Sequence, residues 1–318
     1  MDEGLPPKIP FLPDLIVRHD EGMLITGMEG ELTWLDRDLN PTGEVSLPHP
    51  MRLRQAVIHD GQLFGTWLDR ELMLAYMASI PVGSSSSGPS RAELRTSINT
   101  PVTHHPAGNR WSHALDAEPM ALAVADDAVV FVLYRRGIYS ITGDAEENWR
   151  LPPPTWKYAK KRPRNEETIA VHIAESDILL TSRGGRVQRR ALETGHITEE
   201  YILPDVEGPI ERLFHHGEHQ LVSTTDGMVV WYHRQQPVQK LMLSGPVQGA
   251  SWDESAKGWR IAGWREEVIL SADRCERAGT LEIPVHIESV DGGAFVLFND
   301  GTWSNSAFET QWQPKEEA

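Results

Sequence analysis

The chain repeats itself. A turn followed by alternating apolar and polar residues recurs seven times, and a unit repeated at such a spacing must bury its apolar face against copies of itself. Five copies carry a turn glycine, at 29–35 (EGELTWL), 136–141 (RGIYSI), 184–189 (GGRVQR), 226–231 (DGMVVW) and 300–304 (DGTWS). Two lack it, at 70–74 (RELML) and 265–270 (REEVIL). Counted from Gly30, Arg70, Gly137, Gly185, Gly227, Glu266 and Gly301, successive turns lie 40, 67, 48, 42, 39 and 35 residues apart. The two long intervals hold segments that read as loop insertions, 83–118 and 153–167.

Each turn follows a short apolar run, such as 129–133 (VVFVL) or 178–182 (ILLTS), so run and turn together read as a β-hairpin. A further strand precedes each hairpin, often after a proline, as at 119–123, 209–213, 246–250 and 284–288. A fourth closes the unit and ends in Leu-Pro or Ile-Pro, at 44–48, 148–152, 200–204 and 281–284. Proline at these points sits at strand ends, where no ladder donor is lost. The apolar positions follow a period of two almost throughout, and no amphipathic helix of convincing length is visible. Four short antiparallel strands per unit is the make-up of a propeller blade. The expected fold is all-β, a seven-bladed β-propeller of four-stranded antiparallel blades. It is read as one domain over 1–318, with blades near 14–48, 52–82, 119–152, 168–204, 209–243, 246–283 and 285–314. Residues 8–13 end like the fourth strands and are expected to cover the edge of the last blade, a place that 309–314 could also fill.

The segment 245–254 (GPVQGASWDE), followed by 257–263 (KGWRIAG), resembles the opening of a WD40 blade, with strand, turn and second strand in that order. The units are similarly compatible with PQQ-type propellers. The Gly-His and terminal Trp-Asp pairs of WD40 repeats do not recur through the seven units, Gly195-His196 and Trp252-Asp253 each standing alone, and the repeated tryptophan docking motifs of the PQQ type are absent. What the resemblance implies is a seven-bladed toroid, with no chemistry attached.

Composition narrows the function classes. With 30 basic and 46 acidic residues the net charge is −16, a field that disfavours nucleic acid and anionic lipid. A single cysteine, Cys275, excludes an internal disulfide framework and a cysteine-based zinc site. No apolar run approaches the roughly 20 residues of a membrane span, and the N-terminus lacks the pattern of a secretory signal. The expected location is cytoplasmic, and the expected free state is a monomer.

Candidate sites are sparse. The first insertion holds His104, His105 and His113, which could be read as metal ligands, but adjacent histidines diverge in extended chain and no carboxylate or cysteine stands at ligand spacing. No metal site and no cofactor is therefore expected. Arg110 and Trp111 in the same insertion are residue types that dominate interface hot spots. The second insertion carries a basic cluster in an acidic chain, Trp156, Lys157, Tyr158, Lys160, Lys161, Arg162 and Arg164. It suits an acidic protein partner, or weak, salt-dependent contact with nucleic acid. Alignment of the first strands puts Arg52, Glu211, Gln248 and His286 toward a central channel, with Ala121 and Ala170 at other blades. Neither a lactonase-like carboxylate set nor a quinoprotein site can be assembled from these. No nucleophile elbow, phosphate loop, dinucleotide fingerprint or EF-hand string occurs. His215, His216 and His219 read as decoration of a turn, and the tryptophans near hairpin turns (34, 67, 231, 264, 303) mostly as packing between blades. The leading expectation is a noncatalytic intracellular scaffold binding a protein partner. A channel hydrolase with a metal or small-molecule site is the alternative, and nucleic-acid association through the basic loop is a second.

Overall fold

A computed structural model describes residues 4–97, 100, 102–157, 166–290 and 293–308. Seven antiparallel sheets follow one another along the chain, the architecture of an all-β, seven-bladed β-propeller. Two compact units divide it, Asp14–Ile202 in one, and Met1–Pro13 with Leu203–Ala318 in the other.

The larger unit begins with a three-stranded sheet of β1 (Pro13–His19), β2 (Gly22–Gly27) and β3 (Leu32–Asp36). The second sheet has β4 (Arg52–His59), β5 (Gln62–Asp69), β6 (Leu74–Pro81) and β7 (Trp111–Ala114), with helix α1 (Arg91–Ser97) between the last two. The third has β8 (Pro119–Ala125), β9 (Ala128–Leu133), β10 (Gly137–Ile141) and β11 (Glu147–Leu151). The fourth has β12 (Thr168–Ala174), β13 (Asp177–Ser182), β14 (Arg186–Ala191) and β15 (Ile197–Ile202). In the other unit the fifth sheet has β16 (Ile210–His216), β17 (His219–Thr224), β18 (Met228–His233) and β19 (Gln236–Met242). The sixth has β20 (Gly249–Asp253), β21 (Gly258–Gly263), β22 (Glu266–Leu270) and β23 (Cys275–Gly279), and the seventh β24 (Pro284–Val290), β25 (Gly293–Phe298) and β26 (Trp303–Asn305). All seven repeated turns fall between a second and a third strand.

The second strands carry apolar side chains on both faces, because both faces are covered. In β9, Val129, Phe131 and Leu133 pack with Phe64 and Met77 of the second sheet, while Val130 and Val132 pack with Ile178 and Leu180 of the fourth. Successive side chains of a strand point to opposite faces, so one run supplies two cores. In the other unit Leu221, Val229 and Trp231 meet Trp259, Ile261 and Val268, and Ala262 meets Ile287 and Val296. Of the tryptophans near turns, Trp34, Trp67, Trp231 and Trp303 are buried and Trp264 is exposed.

One backbone feature recurs. In five first strands the register slips by one residue, between Leu53 and Gln55, Pro119 and Ala121, Thr168 and Ala170, Ile210 and Arg212, and Pro284 and His286. Each slip is a β-bulge, which inserts an unpaired residue and re-aims the side chains around it. The inserted residues are Arg54, Met120, Ile169, Glu211 and Val285. The turn between second and third strands is tied to the connector entering the first strand of its own sheet: Tyr134 donates to the Glu118 carbonyl at 2.8 Å, Arg183 to Glu167 at 2.8 Å, Thr225 to Pro209 at 3.0 Å and Asn299 to Ile283 at 2.9 Å.

Three features differ from the sequence reading. Residues 83–118 are not a loop between blades. They are an excursion within the second sheet that contains α1 and returns as the fourth strand, β7. The helix opens with a capping box, in which Glu93 accepts from the amide and the hydroxyl of Ser90, both at 2.7 Å, and the Ser90 hydroxyl accepts from the Glu93 amide at 3.3 Å. Leu94 then packs in the core with Leu24, Trp34 and Trp67. The expected strand 44–48 is reduced to isolated bridges at Ser46 and Leu47. The fourth strand of the sixth sheet is Cys275–Gly279 rather than 281–284, and Pro284 opens the seventh sheet. That last sheet has three strands among the described residues, and the Ile9 amide donates to the Gly301 carbonyl at 2.9 Å beside it. Gly301, at φ +83°, leaves room for this: a Cβ there would lie 2.3 Å from the Ile9 carbonyl oxygen. Residues 309–314 lie outside the described residues.

Candidate functional site

In each sheet the second-to-third-strand turn and the connector entering the first strand lie at the same end of the strands, as antiparallel order requires. Large apolar side chains surface there. Met28 (44 % exposed), Met73 (89 %), Tyr134 (41 %) and Trp264 (45 %) occupy four of the turns, and Leu12 (60 %) and Leu281 (91 %) lie in connectors.

The most elaborated of these turns is Arg70–Met73, between β5 and β6. Asp69 accepts from the Leu72 amide at 2.9 Å and pairs with Arg91 of α1 at 2.5 Å, while Glu71 pairs with Arg91 at 3.0 Å and Arg95 at 3.2 Å. The helix thus braces the turn. Met73 is held at φ 55°, a left-handed conformation that costs a non-glycine residue about 1 kcal/mol. At the next turn of the same unit the Arg135 guanidinium sits 5.0 Å from the Tyr134 ring centroid, a cation–π contact.

Beside the braced turn three arginines gather. Arg52 holds Asp14 through two hydrogen bonds of 2.5 Å, and Arg70 holds Glu118 at 2.5 Å. Arg54, the bulged residue two positions along β4 from Arg52, is bonded to neither carboxylate. Its Nε is shielded from solvent and has no hydrogen-bond partner among the described residues. Burial, with the charges of Arg52 and Arg70, lowers its pKa against the partial offset of Asp14 and Glu118.

The expected site residues are placed as follows. Arg52 is committed to Asp14, Glu211 is exposed, the Gln248 amide donates to the Pro246 carbonyl at 3.2 Å, and the His286 ring lies 2.7 Å from Glu288. The bulges show that they do not share one register. Glu211 is an inserted residue, whose counterparts are Arg54 and Val285 rather than Arg52 and His286. Arg110 pairs with Asp144 at 2.6 Å, and half-buried Trp111 donates to the Gly143 carbonyl at 2.8 Å and packs near Phe64. Both therefore join the second sheet to the third. Trp156 packs against the core of the third and fourth sheets, and Lys157, largely exposed, reaches Glu200 at 3.7 Å. Tyr158, Lys160, Lys161, Arg162 and Arg164 lie outside the described residues.

The histidines are structural in setting. His49 donates through Nε2 to the His104 carbonyl at 3.0 Å, His105 meets the Ser112 hydroxyl at 3.0 Å, and His113 lies beside the Trp111 ring. The pair His216 and His219, read from sequence as decoration, instead stacks on Trp252 of the next sheet, with centroids 5.1 and 4.2 Å away. Trp231 donates to His219 Nδ1 at 3.2 Å, and burial, with His233 and His216 nearby, lowers the pKa of that ring. Among the described residues no group of three or more His, Cys, Asp or Glu is placed to share a metal ion. No helix among them is long and apolar enough to cross a membrane.

No protein-family model matches the sequence, and no curated protein matches it. Solved structures do match the fold. The WD40 β-propeller domain of Doa1 superposes with a TM-score of 0.60 at 10 % identity, covering 96 % of each chain. The computationally designed protein Ika8 gives 0.59 at 11 % identity, over 94 % of this chain and 97 % of that one. BamB from Moraxella catarrhalis gives 0.53 at 14 % identity, over 91 % and 84 %. These likenesses establish the β-propeller fold and nothing about activity.

Proposed function

We propose that the protein is a noncatalytic interaction scaffold that docks a protein partner through the strand ends carrying the second-to-third-strand turns. The observation that carries this is Met73, 89 % exposed in a turn whose acidic residues are clamped by α1. A flexible apolar side chain on a rigid support loses little further freedom on binding, which is how preorganised contacts gain affinity. Tyr134 and the arginines beside it are of the types enriched at interfaces. The fold supports the reading in general terms, since propeller blades expose the turns between their strands. The basic segment starting at Trp156 is a second contact in this reading, anchored by its tryptophan.

The experiment is chemical cross-linking and capture from the native cell with wild type, a Met73→Asp/Tyr134→Asp double variant and Lys157→Glu. The expected result is a discrete partner that the double variant loses. Recovery of the protein free in the wild-type capture, or an unchanged partner set with the double variant, overturns the proposal.

A further inference from the structure

We infer that Arg54 anchors a carboxylate side chain of the docked partner, so that Arg52, Arg54 and Arg70 form an oxyanion receptor rather than a closed set of ion pairs. The inference rests on the docking surface proposed above and names the chemistry that surface recognises.

Three guanidinium groups share two carboxylates. Asp14 is held bidentate by one edge of Arg52, and Glu118 is held through Oε1 by Arg70, while Arg54 is bonded to neither. Arg54 is left with a shielded, unpartnered Nε in a group of three guanidinium and two carboxylate charges, one positive charge in excess. Arg54 is half-buried, and its shielded Nε–H gives up water without gaining an acceptor, which is unfavourable. Nor does the fold require charge at this register. The bulged residues at the corresponding places are Met120, Ile169, Glu211 and Val285, three of them apolar. An arginine with an unpartnered Nε, in excess of the carboxylates around it and at a position open to methionine or valine, is explained by what it binds.

The ligand is a carboxylate by two arguments. Guanidinium–carboxylate pairing is already made by both neighbouring arginines, bidentate in Arg52–Asp14 and through one oxygen in Arg70–Glu118, and a third carboxylate completes the set. A chain of net charge −16 opposes a phosphate dianion more than a single negative charge. Since Met73 lies in the same turn as Arg70, the matching segment is a protein surface with an acidic residue beside an apolar one.

The test follows the Arg54 Nε–Hε resonance of the full-length, nitrogen-15-labelled protein during titration with sodium acetate into the tens of millimolar, at constant ionic strength maintained with chloride. Arg54→Gln supplies the assignment, and inorganic phosphate is titrated in parallel. A saturable shift with acetate, absent with chloride and tighter than with phosphate, is the expected result. Arg54→Gln should also melt no lower than wild type, because it removes an unpaired charge. No saturable shift, an equal shift in chloride, tighter binding of phosphate, or a clear loss of stability in Arg54→Gln each overturns the inference. Failure here with partner loss still seen in the Met73→Asp/Tyr134→Asp variant would leave the scaffold reading standing alone.

Discussion

His49 couples the stability of the larger unit to acidity, and the size of the effect can be worked from its surroundings. The ring is fully buried in the connector between the first two sheets, its Nε2 donates to the His104 carbonyl, and its Nδ1 has no hydrogen-bond partner. Burial drives its pKa from 6.5 to about 4; His104 and His105 nearby push the same way, while the hydrogen bond to His104 and the charge of Asp69 pull against them. The folded-state value is depressed, so between the two values the unfolded chain binds the proton and the folded chain does not. Stability is therefore full above the unfolded value and lost as the pH falls toward the folded one. For one such group, going from about pH 7 to about pH 5 removes about 2 kcal/mol. The perturbation is His49→Gln, whose Nε2 can keep the donated hydrogen bond and cannot titrate. Urea unfolding at both pH values, with the His49 ring followed by NMR, reads the difference. Wild type should lose about 2 kcal/mol more than the variant, against a background of half-buried His172 and His219 common to both. A ring signal that titrates near 6.5, or equal pH slopes for the two proteins, refutes the reasoning.

Two further predictions concern the smaller unit. Asp253→Asn leaves the buried Arg260 with a weaker partner in a network that also holds Ser306 and Glu267, and should cost about 3 kcal/mol in urea unfolding; a loss below about 1 kcal/mol would show that the network contributes little. Gly301→Ala drives a Cβ into the Ile9 carbonyl and should release the N-terminal segment, read as faster proteolysis within residues 4–13, with Gly279→Ala, which meets nothing within 4 Å, as the control. Equal cleavage in the two variants would show that the segment does not depend on Gly301.

The hairpins were legible because two physical signals coincide in them. An apolar run long enough to cover two cores, as at Val129–Leu133, sits next to a turn whose glycine permits a positive φ, as at Gly185 and Gly227. What escaped the reading is what breaks local order. The fourth strand of the second sheet escaped because an excursion separates Trp111 from its partner strand ending at Pro81. The helix was announced by Ser90-Arg91-Ala92-Glu93, a capping box, but is too short for periodicity to register. Arg54 escaped because a bulge inserts one residue, and a strict alternation of faces then assigns every position before it to the wrong row. Alignment on prolines put Arg52 and His286 in the row that belongs to Arg54 and Val285. The stack of His216 and His219 on Trp252 joins residues of different sheets, a pairing that hairpin-level reading does not reach.

The placement of residues 4–13 has a consequence for how the chain folds as it is made. Asp14–Ile202 is continuous in sequence, so all of its strands are available once residue 202 has been synthesised. The other unit is split, with Met1–Pro13 at one extreme of the chain and Gly301, against which Ile9 rests, near the other. Ile9 must wait until residue 301 has been synthesised, and closing so long a loop costs entropy that grows with its length. Contacts of that kind form late and slow the final step. A permuted chain in which residues 4–13 follow residue 318 would make both units continuous, and should refold faster while keeping the same seven sheets.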